Sequence, residues 1–436
     1  MTIVRSLKLT GALFATTLLL ASCGGGDTGA GSDGSDSGGK VELTVWAARE
    51  EYLPPDRFEQ FMKDNPNITV KSDVQDGDDI LQQLQRMRAA NQPLPDVIQD
   101  DTWVLGAYKE ADLIQPIGDL LKQWQEQDPE SYKEQWPIVF DEGKIDGTEY
   151  GVAPTFNQDV FYFNKPAFQK ANVQLPFKSW DDVLAGLKAV KAADPNMIPL
   201  SLQAKAGEGV TAMKGMMSNV GVPFKGATPD LKSPAGLYVI DWFKKAKDAD
   251  LVPADAIAWG QSEARGSFVA KKSALLIDGL NGAPDYLEAP DFAYGTDWAM
   301  DPTPTTSGGG NLTGITVVSS RSWAITTGTK HLDQAGLAVR YLSSKENLFA
   351  TLEAGIVRMP RNDAVLDSPE MAKFLPFLTE DLKKSFADAE PGPAAANAGE
   401  VEGVLEQLLG EIVQGTDQSP QQLADKYQQQ LDALKE

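Results

Sequence analysis

The chain has 436 residues, 42% of them hydrophobic, and carries 39 basic against 62 acidic side chains, a formal net charge of −23. That balance argues against nucleic-acid binding, because affinity for a phosphate backbone comes largely from Lys and Arg neutralisation. With one histidine, His331, and one cysteine, Cys23, zinc sites of His and Cys and the Ser-His-Asp and Cys-His modes of catalysis have almost nothing to draw on.

In chain order, Arg5 and Lys8 precede the apolar stretch Gly11 to Leu20, which is too short and too weakly flanked to span a bilayer. Residues 1–22 therefore read as a secretory signal peptide. The segment ends Leu20-Ala21-Ser22-Cys23, which resembles the lipobox of bacterial lipoproteins. That resemblance implies cleavage before Cys23, a diacylglycerol on its sulfur and an acyl chain such as palmitate on the new amino terminus. The alternative is an incidental cysteine beside an ordinary cleavage site. From Gly24 to Gly39 the chain is Gly, Ser, Asp, Thr and Ala only, so 23–40 reads as a lipidated cysteine and flexible tether with an rms reach of roughly 20 to 24 Å. With Cys23 committed to lipid no disulfide can form, and the roughly 400 residues beyond it must be held by core burial, enough for two lobes.

Val41 to Trp46 alternates as a strand does, and Phe58, Phe61 and Met62 follow Pro54-Pro55 at helical spacing. Ile68 to Val70 reads as a second strand, Ile80, Leu81, Leu84 and Met87 as a helical stripe, and Asp96 to Ile98 as a third strand. Strand and helix alternation predicts an α/β layer architecture with ligands beyond the carboxyl ends of strands. Val183, Leu184, Leu187 and Val190 line a further helix. Val160 to Phe163, Ile198 to Leu202 and Ala274 to Ile277 read as strands, and Pro302 to Gly310 as a surface loop or flap. Near the end, Val401, Val404, Leu405, Leu408 and Ile412, then Leu423, Tyr427, Leu431 and Leu434, predict two amphipathic helices packed on one lobe.

Enzymatic signatures are sparse. His331 precedes the apolar stripe Leu332, Ala335, Val339 and Leu342 and reads as a helix start. No GxSxG elbow, Walker-type loop or calcium loop in register occurs, so neither a metal nor a nucleotide cofactor is expected. Carboxylates are plentiful, which leaves a secreted glycosidase open, since that mechanism requires only two suitably separated acids. Asp78-Asp79 and Asp181-Asp182 read as solvated helix starts.

The run Leu94-Pro95-Asp96-Val97-Ile98-Gln99-Asp100-Asp101-Thr102-Trp103, continuing through Ala107 to Ile114, resembles family 1 extracellular solute-binding proteins of ABC importers. The maltose-binding type is the best-known relative. Tyr150 to Pro154 running into Val160 to Lys165 and Trp180-Asp181-Asp182, Phe268 to Gly279, Ala335 to Ser344 and Gly355 to Arg361 resemble the same family in the same order. The resemblance implies a two-lobe periplasmic-binding-protein-like α/β fold of type II, with central sheets flanked by helices and a ligand cleft between lobes. It implies crossings near 153–158, 323–326 and 359–364, with an amino-terminal lobe of 41–155 plus 324–360 and a carboxy-terminal lobe of 156–323 plus 361–436. Its partners would be a small-molecule solute and the importer's transmembrane subunits. The protein would act as a monomer held outside the cytoplasmic membrane by its lipid, and would perform no catalysis.

A reversible sugar site needs aromatic faces and planar hydrogen-bonding groups. Glu50 and Glu51 follow the first strand, as ligand contacts or plain surface acids. Asp100, Asp101, Thr102 and Trp103 follow the third, where the family places contacts; lobe core is the other reading of Trp103. Asn157 and Gln158 stand at the first crossing as hinge residues or ligand donors. Asp278 and Asn281 bracket Gly279; the family commonly has an aromatic where Asn281 stands, which weakens the case for maltose itself. Arg358 is the cationic candidate, or half of an interlobe ion pair. Trp259, Trp298 and Trp323 complete the stacking candidates, with core as the alternative for each, and Gln203 is a further polar one. A polyamine would draw on Glu50, Glu51, Asp100 and Asp101, and a phosphorylated polyol on Arg358.

Overall fold

The computed structural model describes residues 39–48, 53, 56–75, 80–355, 358–392, 395 and 397–434. The signal segment, Cys23 and all but the end of the tether lie outside the described residues, as do Glu50, Glu51 and Asp78-Asp79. Among the described residues no helix is long and apolar enough to cross a membrane.

The strands in chain order are β1 (Val41–Ala47), β2 (Ile68–Val74), β3 (Val97–Asp101), β4 (Lys144–Ile145), β5 (Thr148–Glu149), β6 (Gly151–Asn164) and β7 (Ile198–Ser201). There follow β8 (Phe224–Lys225), β9 (Thr228–Pro229), β10 (Ser273–Gly279), β11 (Trp298–Pro302), β12 (Val317–Ile325), β13 (Met359–Pro360) and β14 (Glu390–Pro391). The main sheet runs β2-β1-β3-β12-β6-β10-β7, while β4-β5 and β8-β9 are separate hairpins. β1 is parallel to β2 and β3, as strands joined by helical crossovers must be. The three strands expected at the start of the chain are thus present and adjacent.

The key element is β6, which serves two lobes in succession. Gly151 to Gln158 pair with β12, and Asp159 to Phe163 pair with β10. The handover therefore lies between Gln158 and Asp159, at the far end of the stretch expected to cross first. Alternation along the strands separates the cores on the two sheet faces. In the amino-terminal lobe Val97, Trp323 and Ile325 enter one cluster, while Ile98 and Ala324 enter another. In the carboxy-terminal lobe Phe161 and Phe163 face one cluster and Val160 and Tyr162 the other.

The second crossing lies earlier than the sequence suggests. Arg321 to Ile325 of β12 are already laddered against Asp101 to Val97 of β3, so the chain has entered the amino-terminal lobe before residue 324. Arg361, at the third crossing, is buried with Glu142: Nη2 donates to Oε1 at 3.0 Å, Nη1 donates to Ala153 O at 3.2 Å, and the guanidinium lies 5.2 Å from the Phe156 ring.

The terminal helices Ala398–Gln414 and Pro420–Asp432 bury their predicted stripes against Trp242 and Phe243 of helix Pro234–Asp248, within the carboxy-terminal lobe core. Each fully buried Leu or Phe there contributes about 1.5–3 kcal/mol, and Ser419 and Gln422 form a capping box that fixes where the last helix starts. The expected loop at 302–310 is pinned rather than free. Asp181 accepts from Gly309 N at 3.0 Å and from the Tyr238 hydroxyl at 2.8 Å. His331 is the N-cap of helix Leu332–Leu342, as its place in the sequence suggests.

Candidate functional site

A cavity of about 930 Å³ opens where β6 passes from one lobe to the other. Its floor is Asn157 and Asp159 of β6, Gly279 of β10 and Ser319 and Ser320 of β12. Asp101, Thr102, Trp103 and Lys109 line the amino-terminal wall, together with the β4–β5 hairpin at Lys144 to Asp146. The carboxy-terminal wall begins with the polar group Gln203, Gln261, Arg265, Asp278 and Asn281, and continues to an apolar end at Phe224, Ala227, Val401 and Leu405.

Asp278 is almost completely buried and saturated with donors. Arg265 Nε donates to it at 2.6 Å, the Tyr286 hydroxyl at 2.8 Å, and the side-chain amides of Gln203 and Gln261 at 3.3 Å each. Gln261 and Arg265 lie one helical turn apart on Gln261–Val269, which aims both at the same carboxylate. Arg265 also reaches Asp285 at 3.2 Å. Beside this network Asn157 Nδ2 donates to Asn281 Oδ1, and Asn281 N donates to Asn157 Oδ1, both at 3.2 Å. A β-carbon on Gly279 would stand 2.2 Å from Asn157 Nδ2 and 2.5 Å from Asn281 Oδ1, so glycine is what allows this amide pair to form.

Four further wall cations are matched as well. Arg321 pairs with Asp101 at 3.2 Å, Lys109 with Asp146, Lys144 with Asp141 at 2.6 Å, and Lys214 with Glu402. Such pairing leaves a polar surface without a strong excess of either sign. Asp159 differs: its carboxyl accepts no hydrogen bond among the described residues, and burial, reinforced by the charge of Asp278 and opposed by Lys214, pushes it up to about 7.

The cavity brings together Asp101, Trp103, Asn157, Gln203, Asp278, Asn281 and Arg358 of the residues singled out in the sequence. Trp103 also reaches the carboxy-terminal core, packing against it from the opposite lobe. The other described candidates lie elsewhere. Asp100 turns inward to accept from the Tyr108 hydroxyl at 2.6 Å, and burial raises its carboxyl to about 6 despite that bond. Gln158 is 1% exposed and donates to Ser385 Oγ at 2.7 Å. Trp298 and Trp323 are interior residues of the two lobes, and Trp259 is half-buried against a core cluster away from the cavity. In each case burial of apolar or hydrogen-bonded surface fixes the residue away from the cleft.

Sequence reasoning missed Asp159, Gln261, Arg265, Lys214, Arg321 and Phe224. Strand alternation was the available signal for Asp159: if Asn157 faces the cleft, the residue two further on does too, and Gln158 points away. The pairs Gln158/Asp159 and Asp100/Asp101 both obey this rule. Among the described residues no group of three or more His, Cys, Asp or Glu is placed to hold a metal ion.

A family model described as bacterial extracellular solute-binding protein matches residues 46–348. A binding protein of Brucella abortus is 22% identical over 371 residues, covering 82% of this chain and 85% of that one. Among solved structures, the GacH receptor of Streptomyces glaucescens, determined unliganded and with acarbose, superposes with a TM-score of 0.72 at 18% identity, covering 91% of this chain and 100% of that one. The sugar-binding protein MalE from Xanthomonas citri gives 0.74 at 17% identity, covering 90% and 96%. At these identities the structural likeness shows the fold, that of the two-lobe binding proteins.

Proposed function

Since the chain belongs to the bacterial extracellular solute-binding proteins, the solute-capturing subunits of ABC importers, we propose that it captures a carbohydrate of mono- to oligosaccharide size in the cavity at the β6 handover and delivers it to a permease. The observation that carries this reading is the wall chemistry. Of the six wall cations, Lys109, Lys144, Lys214, Arg265 and Arg321 are each matched by a carboxylate and Arg358 completes the set, while Asn157, Gln203, Gln261, Asn281 and Ser319 supply neutral hydrogen-bonding groups and Trp103 and Phe224 supply aromatic faces. Neutral polyhydroxylated rings need that combination; a phosphate or a polyamine needs a surplus of charge. The volume of about 930 Å³ lies near the upper end of the roughly 300–1,000 Å³ of ordinary ligand sites, which suits more than one sugar ring.

Capture would close the lobes about the three crossings, with ligand contacts to both walls favouring the closed state. The same proposal holds the protein outside the membrane as a monomer, anchored through acylated Cys23, with the tether giving it reach. The proposal involves no covalent chemistry. The test is a thermal-shift screen of sugars, polyols and amines, since a ligand at 100 times its Kd adds about 2.7 kcal/mol of stability. Stabilisation by a sugar without turnover is the expected result; stabilisation by spermidine alone, or hydrolysis of an oligosaccharide, overturns it.

A further inference from the structure

We propose that Asp159 is a specificity-determining residue of the cavity, accepting hydrogen bonds from ligand hydroxyls so that capture of a sugar is coupled to loss of a proton from this carboxyl. The proposal rests on the carbohydrate reading above and adds to it a residue and a pH dependence.

Asp159 is the first residue of β6 on the carboxy-terminal side of the handover, opposite Gly279 of β10 in register. It lines the main cavity and also a recess of about 20 Å³ behind it, which has room for about one water-sized group. Two further walls of that recess are Trp180 and Asn219, whose Nε1 and Oδ1 are buried without a hydrogen-bond partner. Helix Thr211–Asn219 passes beside it, and a β-carbon on Gly215 would lie in ordinary contact, 3.5 Å from Asp159 Oδ2. The carboxyl is thus held among groups that give it no hydrogen bond, at the edge of a space built for hydroxyls.

The charges bearing on it are Asp278 on β10, which favours the protonated form, and Lys214 on helix Thr211–Asn219, which favours the ionised one. Each is already engaged, Asp278 by Arg265 and Lys214 by Glu402. Burial outweighs them and sets titration at about 7, so near neutrality both protonation states are populated in the empty cleft. A carboxylate accepting hydroxyl hydrogen bonds is favoured over the acid. A ligand that donates to Asp159 therefore lowers its pKa, releases a proton, and binds more tightly as the pH rises through 7. With full ionisation in the complex, a free-state value of about 7 gives roughly ten-fold weaker binding at pH 6 than at pH 8.

The experiment is isothermal titration of maltose, maltotetraose, tagatose and ribitol into the wild type and Asp159→Asn at pH 6, 7 and 8, in phosphate and in Tris. The expected result is a sugar that binds wild type about ten-fold more weakly at pH 6 than at pH 8, with proton release visible as a buffer-dependent heat. Asp159→Asn should show pH-independent binding near the wild-type value at pH 6. A sugar that binds with no pH dependence, or an Asn variant that keeps it, overturns the role of Asp159 and leaves the carbohydrate reading standing. No heat from any of the four in either protein overturns both.

Discussion

Two carboxylates line the cavity from neighbouring strands, and their surroundings could hardly differ more. Around Asp278 of β10, four side chains from three further segments donate into one buried group, and Arg265 neutralises it. Around Asp159 of β6 there is no donor among the described residues, an open cavity on one side and a small polar recess on the other. The first arrangement is complete without ligand and shapes the wall. The second is incomplete, and a ligand hydroxyl can supply the hydrogen bond it lacks. Rigid recognition and titratable recognition are thus placed within one residue pair of each other in the β6–β10 ladder.

The comparison predicts where substitution hurts most. Asp278→Ala leaves Arg265 in a largely buried position with only the exposed Asp285, and removing one partner of a buried pair costs about 3–5 kcal/mol. Urea unfolding should place the loss toward the lower end of that range, because Asp285 remains, and Asp278→Asn should lose less. Next comes Gly279→Ala, whose methyl collides with the Asn157–Asn281 pair. Overpacking of this kind costs about 1–3 kcal/mol, and ligand affinity should fall by ten-fold or more when measured by titration calorimetry. If affinity is unchanged, the amide pair is a hinge lock and not a contact.

Asp159→Asn should behave in the opposite sense to Asp278→Ala. Because burial raises Asp159 from an ordinary 3.8 to about 7, the folded chain holds this proton more tightly than the unfolded one. Stability from this group is therefore greatest in acid and declines as pH rises from about 4 to 7. Asparagine does not ionise, so the variant should melt higher than wild type at pH 8, with the gain shrinking toward pH 5. Thermal melts at the two pH values check the sign.

Much of the fold was legible because it follows from local periodicity. The alternation of Val41 to Trp46 and the stripes at Val401 to Ile412 and Leu423 to Leu431 each have a burial partner in the structure, and no other placement would hide them. The second crossing was misplaced because Arg321 and Ser322 are polar residues inside a strand; their ladder to Asp101 and Asp100 is a tertiary fact with no local pattern. At the site, chain proximity was a poor guide. Adjacent acids and amides such as Asp100 and Asp101, or Asn157 and Gln158, cannot share a strand face, so one of each pair enters the cleft and the other the interior. Tryptophans were poorer guides still, since Trp298 and Trp323 bury more apolar area in the lobes than a cleft position would allow. Arg265 carries no mark in the sequence that separates it from a surface cation, and only the fold brings Asp278 to it.

The smallest expected effect also tests the contrast most finely. Lys214 pulls Asp159 toward ionisation, yet Glu402 of the terminal helix Ala398–Gln414 is paired with it and offsets that pull. Glu402→Gln removes the offset while keeping the shape. Lys214 is then free to act on Asp159 alone, the ionised carboxyl gains, and the pH midpoint of sugar binding should move down by a fraction of a unit with little change in affinity at pH 8. Both are read from the same calorimetric pH series. A midpoint that stays in place would show that Lys214 serves only to dock the terminal helix, leaving Asp278 and burial to set the titration of Asp159.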